Sequence, residues 1–188
     1  PTPQTGWATW SVNNRNFVAN YPIPANGLIF VEDHVWVEGA INTARVTIAS
    51  GRFPDNVNTR TSITVNNNLT YTNYNGTDVI SLIAQNNINT GLVSADNLRI
   101  DAALVAQNGR VGRFYYAPAC SPYHIRNTIT LYGMIASNVR YGFAYTGTPA
   151  TGYQTRNLIY DANLLYGPPP SFPLTSNSYE ILSWEEIQ

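Results

Sequence analysis

The sequence predicts an all-β chain folded as a single-domain parallel β-helix (β-solenoid), and three observations carry that prediction. The first is composition: among 188 residues, 23 Asn, 13 Tyr, 13 Gly and 12 Pro make the chain rich in turn and strand formers and poor in helix formers. The second is patterning. From Gly27 to about Tyr145, short aliphatic and β-branched runs are separated by Asn, Gly, Asp and Thr clusters, with no sustained 3.6-residue period. The third is degenerate repetition. Ala44 to Gly51 lines up with Val79 to Asn86, Asp101 to Asn108 and Leu131 to Asn138, sharing an aliphatic residue, Ala, then Gln or Ser, then Asn or Gly. A second block, Val35 to Ile41, is echoed by Ile63 to Leu69, Leu98 to Leu104 and Ile129 to Ile135. Recurrence at roughly 20 to 35 residues describes coils that stack on one another. The alternative is a β-sandwich, which predicts hairpins, and Asn75-Gly76 and Asn108-Gly109 are its signals.

Residues 1–26 read as an N-terminal aromatic and Pro-rich arm carrying Trp7, Trp10, Phe17 and Tyr21. Residues 27–145 form the predicted solenoid core. Alternation there points Val35, Val37 and Ile41 inward and Trp36 and Glu38 outward. Asn suits the bends because it tolerates left-handed conformations and because stacked Asn side chains satisfy neighbouring backbone groups. Residues 146–188 read as a Pro-rich C-terminal cap and final strand, with Pro168, Pro169, Pro170 and Pro173 ahead of the alternating segment Ser178 to Ile187. One short helix is expected, capped by Asp161, running from Ala162 to Tyr166 and ended by a left-handed Gly167. A solenoid exposes a sheet edge at each end, so Trp7, Trp10, Phe172 and Trp184 are expected to cap the ends or sides of the stack.

Charge narrows the function. Charged residues make up 11% of the chain, against roughly 25% in ordinary soluble domains, and all ten basic residues are Arg, opposed by 11 acids. The 44% hydrophobic content argues against disorder. Arginines scattered singly do not make the basic run that nucleic acid binding by counterion release requires, so nucleic acid is not an expected partner. A single Cys120 cannot form an intramolecular disulfide. No apolar run is long enough to span a membrane or serve as a signal peptide. The start at Pro1, without Met, predicts a recombinant fragment or a processed product, with any targeting information lying upstream.

No metal, cofactor or catalytic constellation is predicted. His34 and His124 lack zinc-ligand spacing, and Cys120-Ser121-Pro122 near His124 lacks any nucleophile elbow. No Gly-rich phosphate loop or dinucleotide fingerprint is present. If the second block stacks in register, Glu38, Asn66, Asp101 and Tyr132 form one outward column and Trp36, Thr64, Arg99 and Thr130 the next. Trp36, Glu38, Arg99, Asp101 and Tyr132 are therefore the candidate glycan or partner-contact face. Glu38 and Asp101 would stand about 10 Å apart at Cα, near the roughly 6.5–9.5 Å carboxyl separation of inverting glycosidases. The two repeat blocks differ by one residue at Asp101, however, and a one-residue slip moves a side chain to the opposite face. Solvated surface residues on a noncatalytic scaffold are the expected reading.

Gly27 to Gly39, GLIFVEDHVWVEG, resembles the openings of the β-helical extracytoplasmic regions of PilX-type, type IV pilus-associated bacterial proteins. Tyr160 to Pro173, YDANLLYGPPPSFP, followed by Tyr179 to Glu186, resembles the endings of the same group, with Ala162 where Pro is usual. With Phe53 to Gln85 included, the resemblance covers most of residues 27–188. It implies an extracellular or cell-envelope, surface-exposed module behind a pilin-like helix, with other pilus or envelope subunits and surface glycans as partners. It transfers no catalytic residue. A carbohydrate-active β-helix enzyme and a trimeric phage tailspike or fibre domain are the alternatives, the first disfavoured by the absence of Lys and of clustered acids.

Overall fold

A computed structural model describes residues 16–172, which are mainly strand with very little helix. The strands are β1 (Leu28–Val31), β2 (Val35–Trp36), β3 (Gly39–Ile41), β4 (Arg45–Ser50), β5 (Ile63–Thr64), β6 (Leu69–Tyr71), β7 (Val79–Ala84), β8 (Ile88–Thr90), β9 (Asn97–Ala106), β10 (Val111–Arg113), β11 (Ile125–Ser137), β12 (Ala144–Tyr145) and β13 (Thr151–Tyr160). A 3-10 turn at Pro118–Cys120 and a one-turn helix α1 (Asn163–Tyr166) accompany them. No helix among the described residues is long and apolar enough to cross a membrane.

Pairing is parallel. The larger sheet runs β1-β4-β7-β9-β11-β13-β12, with β3 beside β6 and β6 beside β9, and the second runs β10-β8-β5-β2. Leu28 faces Thr47, Arg45 faces Val79, Ser81 faces Ala103, Asp101 faces Tyr132 and Thr128 faces Thr155. Among the described strands only β12 and β13 pair antiparallel. The Asn-Gly pairs therefore close no hairpin: Asn108-Gly109 joins β9 to β10, which belong to different sheets, and Asn75-Gly76 leads into β7, whose partners are both parallel.

Several sequence alignments hold and others slip. Val35 faces Ile63 and Leu98 faces Ile129, as the second block predicts. Ile63, however, faces Ile88 and not Leu98, because the short strand β8 takes that place. The first block is in phase between β7 and β9 but one residue out between β4 and β7 and between β9 and β11. Between β4 and β7 the slip goes with burial on both faces. All six residues of β7 are buried, so no polar face exists to distinguish one register from the next. Parallel pairing continues beyond Tyr145, since β13 pairs with β11 along most of its length. From Gln154 onward β13 is exposed, so it lacks the apolar alternation that marks an inward strand.

The core between the sheets gathers Ile63, Val65, Leu69, Tyr71, Ile80, Leu82, Leu98, Ile100, Leu104, Val111, Ile129, Leu131 and Tyr153, with Val35, Val37 and Ile41 packed against it as predicted. Trp36 and Glu38 point outward. The bends work differently from one expectation. Asn residues form ladders: Asn66 Oδ1 accepts Gly91 N–H (2.7 Å), Asn68 Oδ1 accepts Arg99 N–H (2.9 Å), Asn87 Oδ1 accepts Arg110 N–H (2.9 Å) and Asn108 Nδ2 donates to Gln85 O (2.7 Å). Among the described residues the only non-glycine positive φ values belong to Thr43 and Ser171, so Asn contributes side-chain pairing and not left-handed backbone.

The C-terminal segment covers the outer face of β7 and β9. Leu164 packs with Val79 and Ala103, and Phe172 and Met134 join them. Arg45 donates to Gly167 O and Pro168 O, and Thr47 Oγ1 donates to Pro170 O. Phe172 thus covers a face of the larger sheet, while Trp7, Trp10, Trp184 and the segment Ser178 to Ile187 lie outside the described residues. Asp161 Oδ1 accepts Asn163 N–H (3.0 Å) at the start of α1. Gly167 ends the helix at φ −142°, not in the left-handed region, and its N–H donates to Asn163 O (2.9 Å).

Asp78 shows how polar atoms knit the passes together. Its buried carboxylate accepts the N–H groups of Ala44, Thr72 and Asn73 and the Asn73 amide. Burial alone would raise its pKa, but these donors together hold it below the ordinary carboxylate value of 3.8. Because the folded value is depressed, the stabilisation is complete above the unfolded value and is lost as pH falls through the folded one. Asp78→Asn puts an NH₂ against N–H donors and is expected to cost about 3 kcal/mol by urea unfolding at neutral pH. The difference from wild type should shrink as pH falls below about 4; a deficit independent of pH would refute this role for the charge.

Candidate functional site

The candidate face predicted from sequence is divided by the fold. Trp36 lies in the second sheet opposite Thr64, 41% exposed. Glu38 precedes β3 and accepts from Asn67 Nδ2. Because the connection 65–68 is longer than 37–38, Gly39 faces Leu69 and Leu69 faces Ile100. Asp101 is consequently in line with Ala40 and Thr70, not with Glu38 and Asn66. The proposed Glu38–Asp101 column is not formed.

Arg99, Asp101 and Tyr132, in contrast, are brought together. Asp101 is fully buried, contrary to the expected solvated position, because the connection between β6 and β7 lays Tyr74 over it. Its Oδ2 accepts Tyr74 O–H (2.7 Å) and Tyr71 N–H (3.1 Å), and its Oδ1 accepts Arg99 Nε–H (2.9 Å). Tyr71, Tyr74 and Tyr132 enclose it, with ring centroids 6.0 Å, 5.4 Å and 6.2 Å apart in the three pairs. The Arg99 guanidinium lies 5.3 Å from the Tyr74 ring centroid. Tyr132 O–H donates to Asp161 Oδ1 (3.1 Å), tying this cluster to the start of α1.

Burial first, then the neighbouring Asp101 carboxylate, raises the pKa of Tyr74; burial and Asp161 do the same for Tyr132. Both phenols stay protonated donors at neutral pH. A carboxylate already holding three donors is poorly placed to accept a proton from a substrate. This arrangement builds an anchored aromatic surface, with Tyr74 45% exposed, more readily than an acid-base pair.

The later strands have a different electrostatic character. Residues 102–160 contain Arg110, Arg113, Arg126, Arg140 and Arg156 and no Asp or Glu. The ion pairs Arg52–Asp33, Arg60–Asp55 and Arg99–Asp101 all lie before this stretch, and among the described residues none of the five arginines has a carboxylate partner. Arg113 is fully buried and donates to Gly91 O, Ser94 Oγ, Leu92 O and Tyr123 O. Arg126 also donates to Leu92 O (3.3 Å). Burial lowers the pKa of Arg113 to about 10 and raises that of Tyr116 to about 12. Arg110 donates to Arg113 O (3.1 Å) and to Tyr145 O–H (3.2 Å). Arg110, Arg140 and Arg156 line a recess of about 770 Å³ together with Tyr141 and Tyr145.

Reading the arginines as scattered missed this feature. The signal lay in the acids: no carboxylate interrupts the interval between Asp101 and Asp161. His34 Nδ1 accepts Ser62 N–H (3.0 Å), a structural bond, and Cys120 is a free thiol in the 3-10 turn. Among the described residues no three His, Cys, Asp or Glu side chains gather as metal ligands. No family model matches the chain, and neither does any curated protein or solved structure.

Proposed function

We propose that the chain is a short parallel β-solenoid serving as a noncatalytic, surface-displayed structural or adhesive module of a pilus-like or cell-envelope protein. The solenoid reading is supported by parallel pairing between successive passes in two sheets that share one core. The observation that carries the noncatalytic reading is Asp101, whose buried carboxylate is already engaged by Tyr71, Tyr74 and Arg99. Display is supported by aromatic side chains held outward on a rigid stack, among them Trp36, Tyr74 and Tyr141. The pilus or envelope location rests on the resemblance of segments 27–39 and 160–186.

Detection of the native protein in envelope, sheared-filament, medium and cytosolic fractions of the source cells tests this reading. Recovery with envelope or filaments is expected. Recovery as a free product in the medium or cytosol would overturn it.

A further inference from the structure

Residues 102–160 carry a net charge of +5 from five Arg with His neutral, with Asp96 and Asp161 hydrogen-bonded to Asn127 and Tyr132 of this interval. Three of those arginines converge on one concavity. The volume of its recess, about 770 Å³, falls within the roughly 300–1,000 Å³ of sites that enclose a small ligand. Arg140 is exposed and, among the described residues, makes no hydrogen bond or ion pair, so its donors are free. Arg156 spends Nη1 on the carbonyls of Tyr153 and Gln154, which fixes the side chain without neutralising it. Arg110 is held by Arg113 O and Tyr145 O–H in the same way. A guanidinium without a carboxylate partner offers its planar donor fork to an anionic acceptor.

We propose that this recess binds an acidic glycan, a short run of uronate-type sugars whose carboxylates pair with Arg110, Arg140 and Arg156 while ring faces lie against Tyr141 and Tyr145. The guanidinium fork matches a carboxylate bidentately, and an aromatic face suits the apolar C–H face of a pyranose. Tyr141 is 47% exposed and available for such contact. A nucleic acid fits less well. Its phosphates require cations along a track, whereas these arginines converge on a bounded recess in a chain whose net charge is −1. The inference rests on the display reading for its glycan context and on the recess for its chemistry.

Titration calorimetry of the 188-residue chain with trigalacturonate and with maltotriose tests it. The acidic probe should bind at least about tenfold more tightly, and more weakly as salt rises. Arg140→Ala should reduce that affinity about tenfold without moving the melting temperature, and Tyr141→Ala should weaken it separately. Equal binding of both sugars, no binding, unaltered binding by Arg140→Ala, or tighter binding of a single-stranded DNA oligomer would each overturn the proposal. Mass analysis of the recovered sugars separates the two readings: cleaved trigalacturonate overturns the noncatalytic module, whereas intact and unbound sugar overturns only the recess.

Discussion

Replacing Gly133 with Ala is expected to destabilise the fold by at least about 4 kcal/mol and to lower its melting temperature by roughly 10 °C. Gly133 sits within β11, between Ala102 of β9 and Tyr160 of β13, at φ +152°. An added Cβ would stand 2.0 Å from Ala102 O and 2.6 Å from its carbonyl carbon. Both are backbone atoms of the neighbouring strand, so no rotamer change relieves the contact. Relief requires β9 and β11 to separate where their pairing is continuous. Gly39→Ala is the control. Gly39 also has a positive φ (+122°), but its Cβ would meet nothing within 4 Å. It should lose only about 1 kcal/mol, the conformational part. Urea unfolding of both variants decides the matter, and equal losses would show that strand spacing at Gly133 is not the constraint.

The two positions also show which parts of the architecture were legible in the sequence. Parallel strand pairing could be read because Val35 and Ile63, or Leu98 and Ile129, repeat an inward aliphatic position with a polar neighbour beside it. Strand β8, INT, could not be read that way, since three residues carry too little alternation to stand out from an Asn-rich turn. Register failed where both faces are buried, as in β7, because the apolar pattern then fits two alignments equally well. The site was legible in the same partial manner. Asp101 and Tyr132 are true neighbours, but Tyr74 and Asp161 complete their cluster from distant connections, and only folding shows that a loop from β6 closes over the carboxylate.

Replacing Arg113 with Ala is expected to cost about 4 kcal/mol, the second large effect. This side chain is fully buried and joins elements far apart in sequence: Gly91, Leu92 and Ser94 after β8, and Tyr123 after the 3-10 turn. Its ring contacts with Tyr116 (4.7 Å) and Tyr153 (5.7 Å) fill the space around the guanidinium. Truncation leaves three carbonyls without that donor in a region water reaches poorly. Arg113→Lys keeps the charge but offers one compact ammonium in place of a planar fork, so it should recover less than half of the loss. If Lys restored full stability, charge alone would be the stabilising element and the four-acceptor geometry would be incidental. The ordering matters for the recess as well, since Arg113 O receives Arg110. Calorimetry of Arg113→Lys with trigalacturonate should show weakened binding that follows its lost stability, whereas Arg140→Ala weakens binding with stability intact. Those two variants separate a residue that positions the recess from one that contacts its ligand.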